Sequence, residues 1–269
     1  MSSDREVDPT RTVEELFSAS FEGGYEDDPP WNAVGVLRRR NSDEVFQLAA
    51  AYCRSEVAIH RARALDVLAQ MGAGRPLAER PHLTASVSIV ISHLSDEDTL
   101  VAHSAAWALA HLQSEPAISA LIGARRSADG QVRLAVAFGM AGSERPDAIE
   151  TLIELAEDDD PEVRNWATFG LGHAGAEEGP PVRLGTLDLA IIRDALRKRV
   201  TDSFSAVRDE AIWGLATRRD PAALQLLLDR LSSEEWIDGD EMTAAEILEL
   251  DYDTPVDVLR TGLGALLHK

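Results

Sequence analysis

The chain has 269 residues, 45% of them hydrophobic, and a formal net charge of −21 from 47 acidic and 26 basic residues. It is long and apolar enough to bury a core, but its field repels a phosphate backbone and an anionic bilayer. Nucleic acid and membrane are therefore excluded as expected partners, whereas a basic or cationic partner is permitted.

Cys53 is the only cysteine, so neither an internal disulfide nor a thiolate metal cluster is available, which suits a reducing cytosol. No apolar stretch approaches the ~20 residues that cross a bilayer. The opening MSSDREVDPT lacks the basic start and apolar core of a secretory signal. The expectation is a cytoplasmic protein.

Residues 1–11 are polar and are expected to be disordered, with one repeat array over 12–269. Thr12 and Glu15 have the spacing of a capping box opening a helix to Ser20. A second helix is predicted from about Trp31, after the turn YEDDPP. From there the chain repeats itself. HRARALDVLAQMG begins at His60, VAHSAAWALAHLQ at Val101, VRLAVAFGMAG at Val132, VRNWATFGLGHAG at Val163 and VRDEAIWGLAT at Val207, at intervals of 41, 31, 31 and 44 residues.

A companion helix precedes the copies at 132 and 163, in register through Ala117/Ala148, Ile118/Ile149, Leu121/Leu152 and Ile122/Ile153. Apolar residues at i, i+3 and i+4 give helices rather than strands. Asp129 and Asp160 stand where a carboxylate caps a second helix, and Pro116, Pro146 and Pro221 sit near the first turn of first helices. AEEGPPVRLGTLDL interrupts the pattern within 176–200. Glu234–Glu241 reads as an acidic loop, and MTAAEILEL and TPVDVLRTGLGALL as two closing helices.

DDDPEVRNWATFGLGHAG and DGQVRLAVAFGMAG resemble the HEAT repeat, in the short form found in phycobilin lyase subunits, over roughly residues 30–231. The resemblance implies an all-α fold: a right-handed α-α superhelix, a HEAT/armadillo-type solenoid of about five or six helix pairs, with second helices lining its concave side. It implies no activity, because function lives in sites carried by the fold.

Each second helix can be read as a wheel, counting from its first residue at 100° per residue. Positions 1, 4, 5, 8, 9 and 12 are apolar or small and are expected to form the core; in one copy these are Val163, Trp166, Ala167, Gly170, Leu171 and Ala174. Position 2 is Arg61, Arg133, Arg164 and Arg208, with Ala102 in the copy that begins at Val101. This column reads as a structural ladder of Arg–Asp pairs between repeats, an anion site being the alternative. Positions 3, 7 and 11 give His103–Trp107–His111, Leu134–Phe138–Gly142, Asn165–Phe169–His173 and Asp209–Trp213–Thr217. Position 7 is thus aromatic in four consecutive copies. Two readings stay open: a partner-binding groove lined by Trp107, Phe138, Phe169 and Trp213, with His103, His111, Asn165, His173 and Asp209 on its walls, or a column buried between helices.

Catalytic alternatives are weaker. Deoxyhypusine hydroxylase, a HEAT enzyme, holds iron with His-Glu dipeptides, and no histidine here precedes a glutamate. A structural zinc site lacks cysteines. The Asp158–Asp160 run and Asp238, Asp240 and Glu241 do not match a calcium loop. There is no nucleophile elbow and no phosphate-binding glycine loop. Alkylpurine DNA glycosylases, also HEAT proteins, use aromatic and acidic surfaces on DNA. The stripe fits them and the charge does not, apart from one basic cluster of Arg38, Arg39, Arg40, Arg61 and Arg63. The reading is a non-catalytic scaffold that binds a protein or peptide through its concave aromatic face, with no cofactor and no metal. An enzyme or chromophore-handling subunit using the same groove is the alternative.

Overall fold

A computed structural model describes residues 10–175, 189–233 and 238–268. The polar segment expected at 1–11 lies almost wholly outside the described residues, as do most of the 176–200 interruption and residues 234–237 of the acidic loop. Among the described residues there are fifteen α-helices, one 3₁₀ turn at Leu77–Glu79 and no strand.

Contacts gather into two compact units, Met1–Gly139 and Met140–Lys269. The first holds α1 (Val13–Ser20), α2 (Asp28–Arg40), α3 (Asp43–Tyr52), α4 (Ala58–Ala69), α5 (Leu83–Ile91), α6 (Thr99–Leu112), α7 (Glu115–Ala124) and α8 (Gly130–Met140), whose last residue belongs to the second unit. The second holds α9 (Pro146–Leu155), α10 (Pro161–Gly172), α11 (Ala190–Arg199), α12 (Ser205–Thr217), α13 (Pro221–Ser232), α14 (Asp238–Leu248) and α15 (Val256–Leu267). The expected acidic loop therefore ends sooner than the sequence implies: residues 238–241 are already the first turn of α14.

The helix starts follow from local chemistry. Thr12 Oγ1 accepts from the Glu15 backbone N at 3.2 Å and Glu15 Oε2 accepts from the Thr12 backbone N at 2.8 Å, closing the capping box. Asp129 Oδ1 accepts from the Gln131 N–H at 2.8 Å and Asp160 Oδ1 from the Glu162 N–H at 2.9 Å. Pro116, Pro146 and Pro221 occupy the first turns of α7, α9 and α13, where no intrahelical donor is lost.

The five phrases become α4, α6, α8, α10 and α12. Val101, Val132, Val163 and Val207 are all buried, so the same place in each phrase does the same packing. In the first unit α4 packs on α6; in the second, α10 packs on α12 and each lies against its first-helix partner.

How closely α10 and α12 approach depends on two glycines. A Cβ built on Gly214 would come within 2.8 Å of the Gly172 Cα and 3.1 Å of Leu196 Cδ1. The obstacle is backbone, which cannot rotate away. Gly214→Ala is expected to destabilise the second unit by about 1–3 kcal/mol, although alanine is the better helix former by about 1 kcal/mol. A higher denaturation midpoint would show that the helices separate freely.

The wheel errs at position 4. Trp166, placed in the core on sequence grounds, is only half-buried and packs edge-on against Phe169, with ring centroids 5.4 Å apart. Position 4 lies a turn below positions 7 and 11, so it borders the aromatic stripe as much as the core. The same position carries buried Arg63 and Ser104 in the first unit and half-buried Glu210 in the second.

Candidate functional site

The four aromatics of position 7 are neither free nor sealed: Trp107, Phe138, Phe169 and Trp213 are each half-buried. Each leans on a histidine or ring from its own or the adjacent second helix. In the first unit the Trp107 and Phe138 centroids are 5.1 Å apart and His111 meets Phe138 edge-on at 5.7 Å. In the second, Phe169 stacks on His173 at 3.9 Å, and His173 on Trp213 at 4.0 Å with 15° between planes. His173 Nδ1 lies 2.9 Å from the Phe169 carbonyl, which fixes the ring. Burial lowers the pKa of both His111 and His173, favouring neutral imidazoles that stack well.

Trp107, His111, Phe169, His173 and Trp213 border two clefts of different chemistry. In the first unit, a cleft of about 290 Å³ is bordered by Trp107 and His111 together with Tyr25, Trp31, Arg38 and Asp66. Its floor is a buried ionic cluster. Tyr25 Oη donates to Asp66 at 2.9 Å and lies 2.9 Å from Ser104 Oγ; Arg38 donates to the Asp66 carbonyl at 2.9 and 2.7 Å. Arg63 lies over the Tyr25 and Trp31 rings, at 4.3 and 4.6 Å from their centroids. Burial pushes the Asp66 carboxyl up to about 6 against the pull of Tyr25 and the two guanidiniums, and it drives the Tyr25 phenol up as well.

In the second unit, a cleft of about 310 Å³ lies among α10, α12, α13 and α14, walled by Phe169, His173, Trp213, Glu210, Arg230 and Glu246 among others. Trp213 Nε1 donates to Glu246 Oε2 at 3.0 Å, and Tyr252 Oη donates to the other oxygen at 3.1 Å. Arg230 Nη1 donates to Asp209 at 2.7 Å and to Asp240 at 3.2 Å.

The remaining position-3 residues lie elsewhere. His103 Nε2 sits 2.6 Å from Asp129 Oδ2, tying α6 to the start of α8 rather than lining the cleft. Asn165 Oδ1 is buried with no hydrogen-bond partner among the described residues.

The arginines of position 2 share one contact. Nη1 of Arg61, Arg133, Arg164 and Arg208 donates to the carbonyl six residues earlier, Ser55, Ser127, Asp158 and Asp202, at 2.7–2.9 Å, holding the turn that leads into its own helix. Two also grip a carboxylate ahead in the chain. Arg61 meets Asp96 through Nε and Nη2 at 3.0 and 2.7 Å, and Arg164 meets Asp202 at 3.0 and 2.9 Å. Those contacts hold both aspartates below the usual carboxylate range despite their partial burial. Arg61 is thus engaged and Arg63 buried, so the N-terminal basic cluster divides, leaving Arg38, Arg39 and Arg40 to line a surface cleft with Arg75.

Residues 121–182 match the HEAT repeats model, and residues 101–124 and 207–233 match the PBS lyase HEAT-like repeat. The chain therefore carries HEAT repeats within 101–182 and 207–233. Its fold is accordingly an α-solenoid, similar to solved structures at low identity. YibA of Escherichia coli is 22% identical with a TM-score of 0.72, covering 97% of this chain and 94% of its own. Kap95p, known from its binding to RanGDP, is 13% identical with a TM-score of 0.65 over 99% of this chain and 42% of its own. A designed armadillo repeat protein in complex with the peptide (KR)4 is 15% identical with a TM-score of 0.50, over 77% of this chain and 99% of its own. No curated protein sequence matches. Among the described residues no helix is long and apolar enough to cross a membrane, and no three His, Cys, Asp or Glu side chains gather as a metal set. Cys53 is buried, and that burial pushes its thiol up to about 12.

The sequence reading missed Tyr25, Trp31, Arg38 and Asp66 at the first cleft, and Glu210, Arg230, Asp240 and Glu246 at the second. One signal was present. Arg63 and Asp66 stand at positions 4 and 7 of their copy and Glu210 at position 4 of its own, all ionisable where the pattern calls for core or aromatic residues.

Proposed function

We propose that the chain is a non-catalytic scaffold of the cytosol that holds a protein or peptide partner against the aromatic-bearing face of its second helices. The observation that carries this reading is the half-exposure of Trp107, Phe138, Phe169 and Trp213, with Trp107, Phe169 and Trp213 at the margins of two clefts. Aromatic side chains with one face packed and one open are rigid anchors, ready to lose their remaining water to a partner. The net charge of −21 favours a basic partner. The Kap95p and armadillo structures, whose partners are RanGDP and a (KR)4 peptide, give the reading fold-level support.

The test is a peptide-array screen followed by titration with the wild type and a Trp107→Ala/Trp213→Ala variant. The double variant is expected to bind the selected peptide about thirtyfold more weakly, as loss of a binding hot spot implies. Its melting temperature should stay near that of the wild type. Undiminished binding, or loss of the fold in the variant, would instead assign the column to packing.

A further inference from the structure

The second-unit cleft is more acidic than the first, where Arg38 and Asp66 balance each other. Four carboxylates border it, Asp209 and Glu210 from α12 and Asp240 and Glu246 from α14, against the single guanidinium of Arg230 from α13. Arg230 is spent on Asp209 and Asp240. Glu246 accepts two neutral donors, the Trp213 indole N–H and the Tyr252 hydroxyl, which orient its carboxylate without neutralising it. Glu210 makes neither a hydrogen bond nor an ion pair among the described residues, although most of its side chain is withdrawn from water. The carboxylates share the cleft with the stacked rings of Phe169, His173 and Trp213, in which the imidazole lies between the other two.

A cavity of about 310 Å³ is at the small end of pockets that enclose an organic group. Carboxylates beside a tryptophan face select a cation that is also flat or apolar along its stem. A bare metal ion does not fit this arrangement, because the carboxylates do not converge as ligands.

We infer that this cleft receives one lysine or arginine side chain from a basic peptide segment, with its stem against Trp213 and its charge between Glu210 and Glu246. The inference rests on the scaffold reading and names the ligand chemistry of one of its two clefts. It has a consequence in pH. Burial first, and then the charge of Asp209, push Glu210 up to about 7. A bound cation favours the ionised form, so binding releases a proton near neutrality and weakens as the pH falls through 7. The other charged groups facing Glu210 are His173 on α10, Arg230 on α13 and Asp240 and Glu246 on α14. Of these, His173 has its pKa lowered below the ordinary imidazole value by burial.

The experiment is calorimetric titration of the full chain with an alternating lysine–arginine peptide, at several pH values and in buffers of different ionisation heat. The variants are the near-isosteric Glu210→Gln and Glu246→Gln, and Trp213→Phe, which keeps an aromatic ring but loses the indole N–H, all checked by thermal melting. Glu246→Gln and Glu210→Gln are each expected to weaken binding at pH 8 by about tenfold. Glu210→Gln should also flatten the pH dependence and abolish proton release. A lysine-acetylated, arginine-free version of the peptide should not bind. Wild-type affinity in both glutamine variants would overturn the cleft while leaving the scaffold reading intact. So would a wild type that ignores the basic peptide yet holds another peptide through Trp107 and Trp213. Spermidine binding that needs Glu210 and Glu246, with no binding of the peptide, would reassign the cleft to a free polyamine and overturn the peptide assignment.

Discussion

Leu171→Asp is expected to unfold the second unit at room temperature, or to lower its stability by about 5 kcal/mol. Leu171 is 0% exposed on α10, the helix that packs on α9, α11 and α12. Around it, Val163 and Ala167 from the same helix and Ala174 just beyond its end are fully buried, and the buried Arg218 guanidinium is already engaged, donating to the Leu171 carbonyl at 3.1 Å. The substitution loses the transfer energy of the leucine and adds either a buried carboxylate or the cost of protonating it. Repeat arrays fold through nearest-neighbour interfaces, so the damage should be greatest where it is made. Hydrogen exchange is the appropriate measurement: amides of α9 to α13 should lose protection, while those of α4 and α6 keep most of theirs. Leu171→Met, which conserves volume, should cost less than about 1.5 kcal/mol. A Leu171→Asp chain with wild-type protection in α10 would mean that the residue is not where the packing places it.

Arg63→Ala is the second large effect, for a different reason. The side chain is 0% exposed, and its Nε and Nη2 donate to the carbonyls of Ser20 and Tyr25 at 3.0 and 2.7 Å. Its Nη1 is 3.7 Å from Asp66. Truncation removes the cation from between two aromatic rings, orphans two carbonyls that fix the α1–α2 turn, and leaves Asp66 with less compensation. About 3–5 kcal/mol is expected, read by chemical denaturation. The neutral pair Arg63→Met/Asp66→Asn should recover much of that loss, because it removes both charges together.

The pH dependence has a defined sign. Asp66 has its folded pKa raised from 3.8 to about 6, so it is better tolerated protonated. Its contribution to stability is full below its unfolded value and is lost as the pH rises to about 6. Removing Arg63 removes an opposing positive charge and should extend that loss to higher pH. Equal stability of Arg63→Ala and wild type would show that the cluster is hydrated and not structural.

Two kinds of information separate along this chain. The sequence by itself determined the helical hairpins, their register and most of their caps, because these depend on residues within one turn of each other. The recurrence of buried valine at 101, 132, 163 and 207 is legible for that reason, as are the capping aspartates and the first-turn prolines. Helical periodicity also singled out the aromatic stripe.

Only the tertiary structure decided what that stripe faces. Position 4 and position 7 are neighbours on a wheel, but whether a neighbour is core or cleft depends on how far the adjacent second helix stands away. That distance is set by contacts such as Gly172 against Gly214, made between residues 42 positions apart. Trp166 was misplaced for this reason, and the same limit hid the two charge clusters. Arg63 meets the carbonyls of Ser20 and Tyr25, and Trp213 meets Glu246, across 43, 38 and 33 residues of chain. A single sequence carries no local trace of such pairs, because hydrogen bonding and charge compensation at these separations are created only when the helices stack.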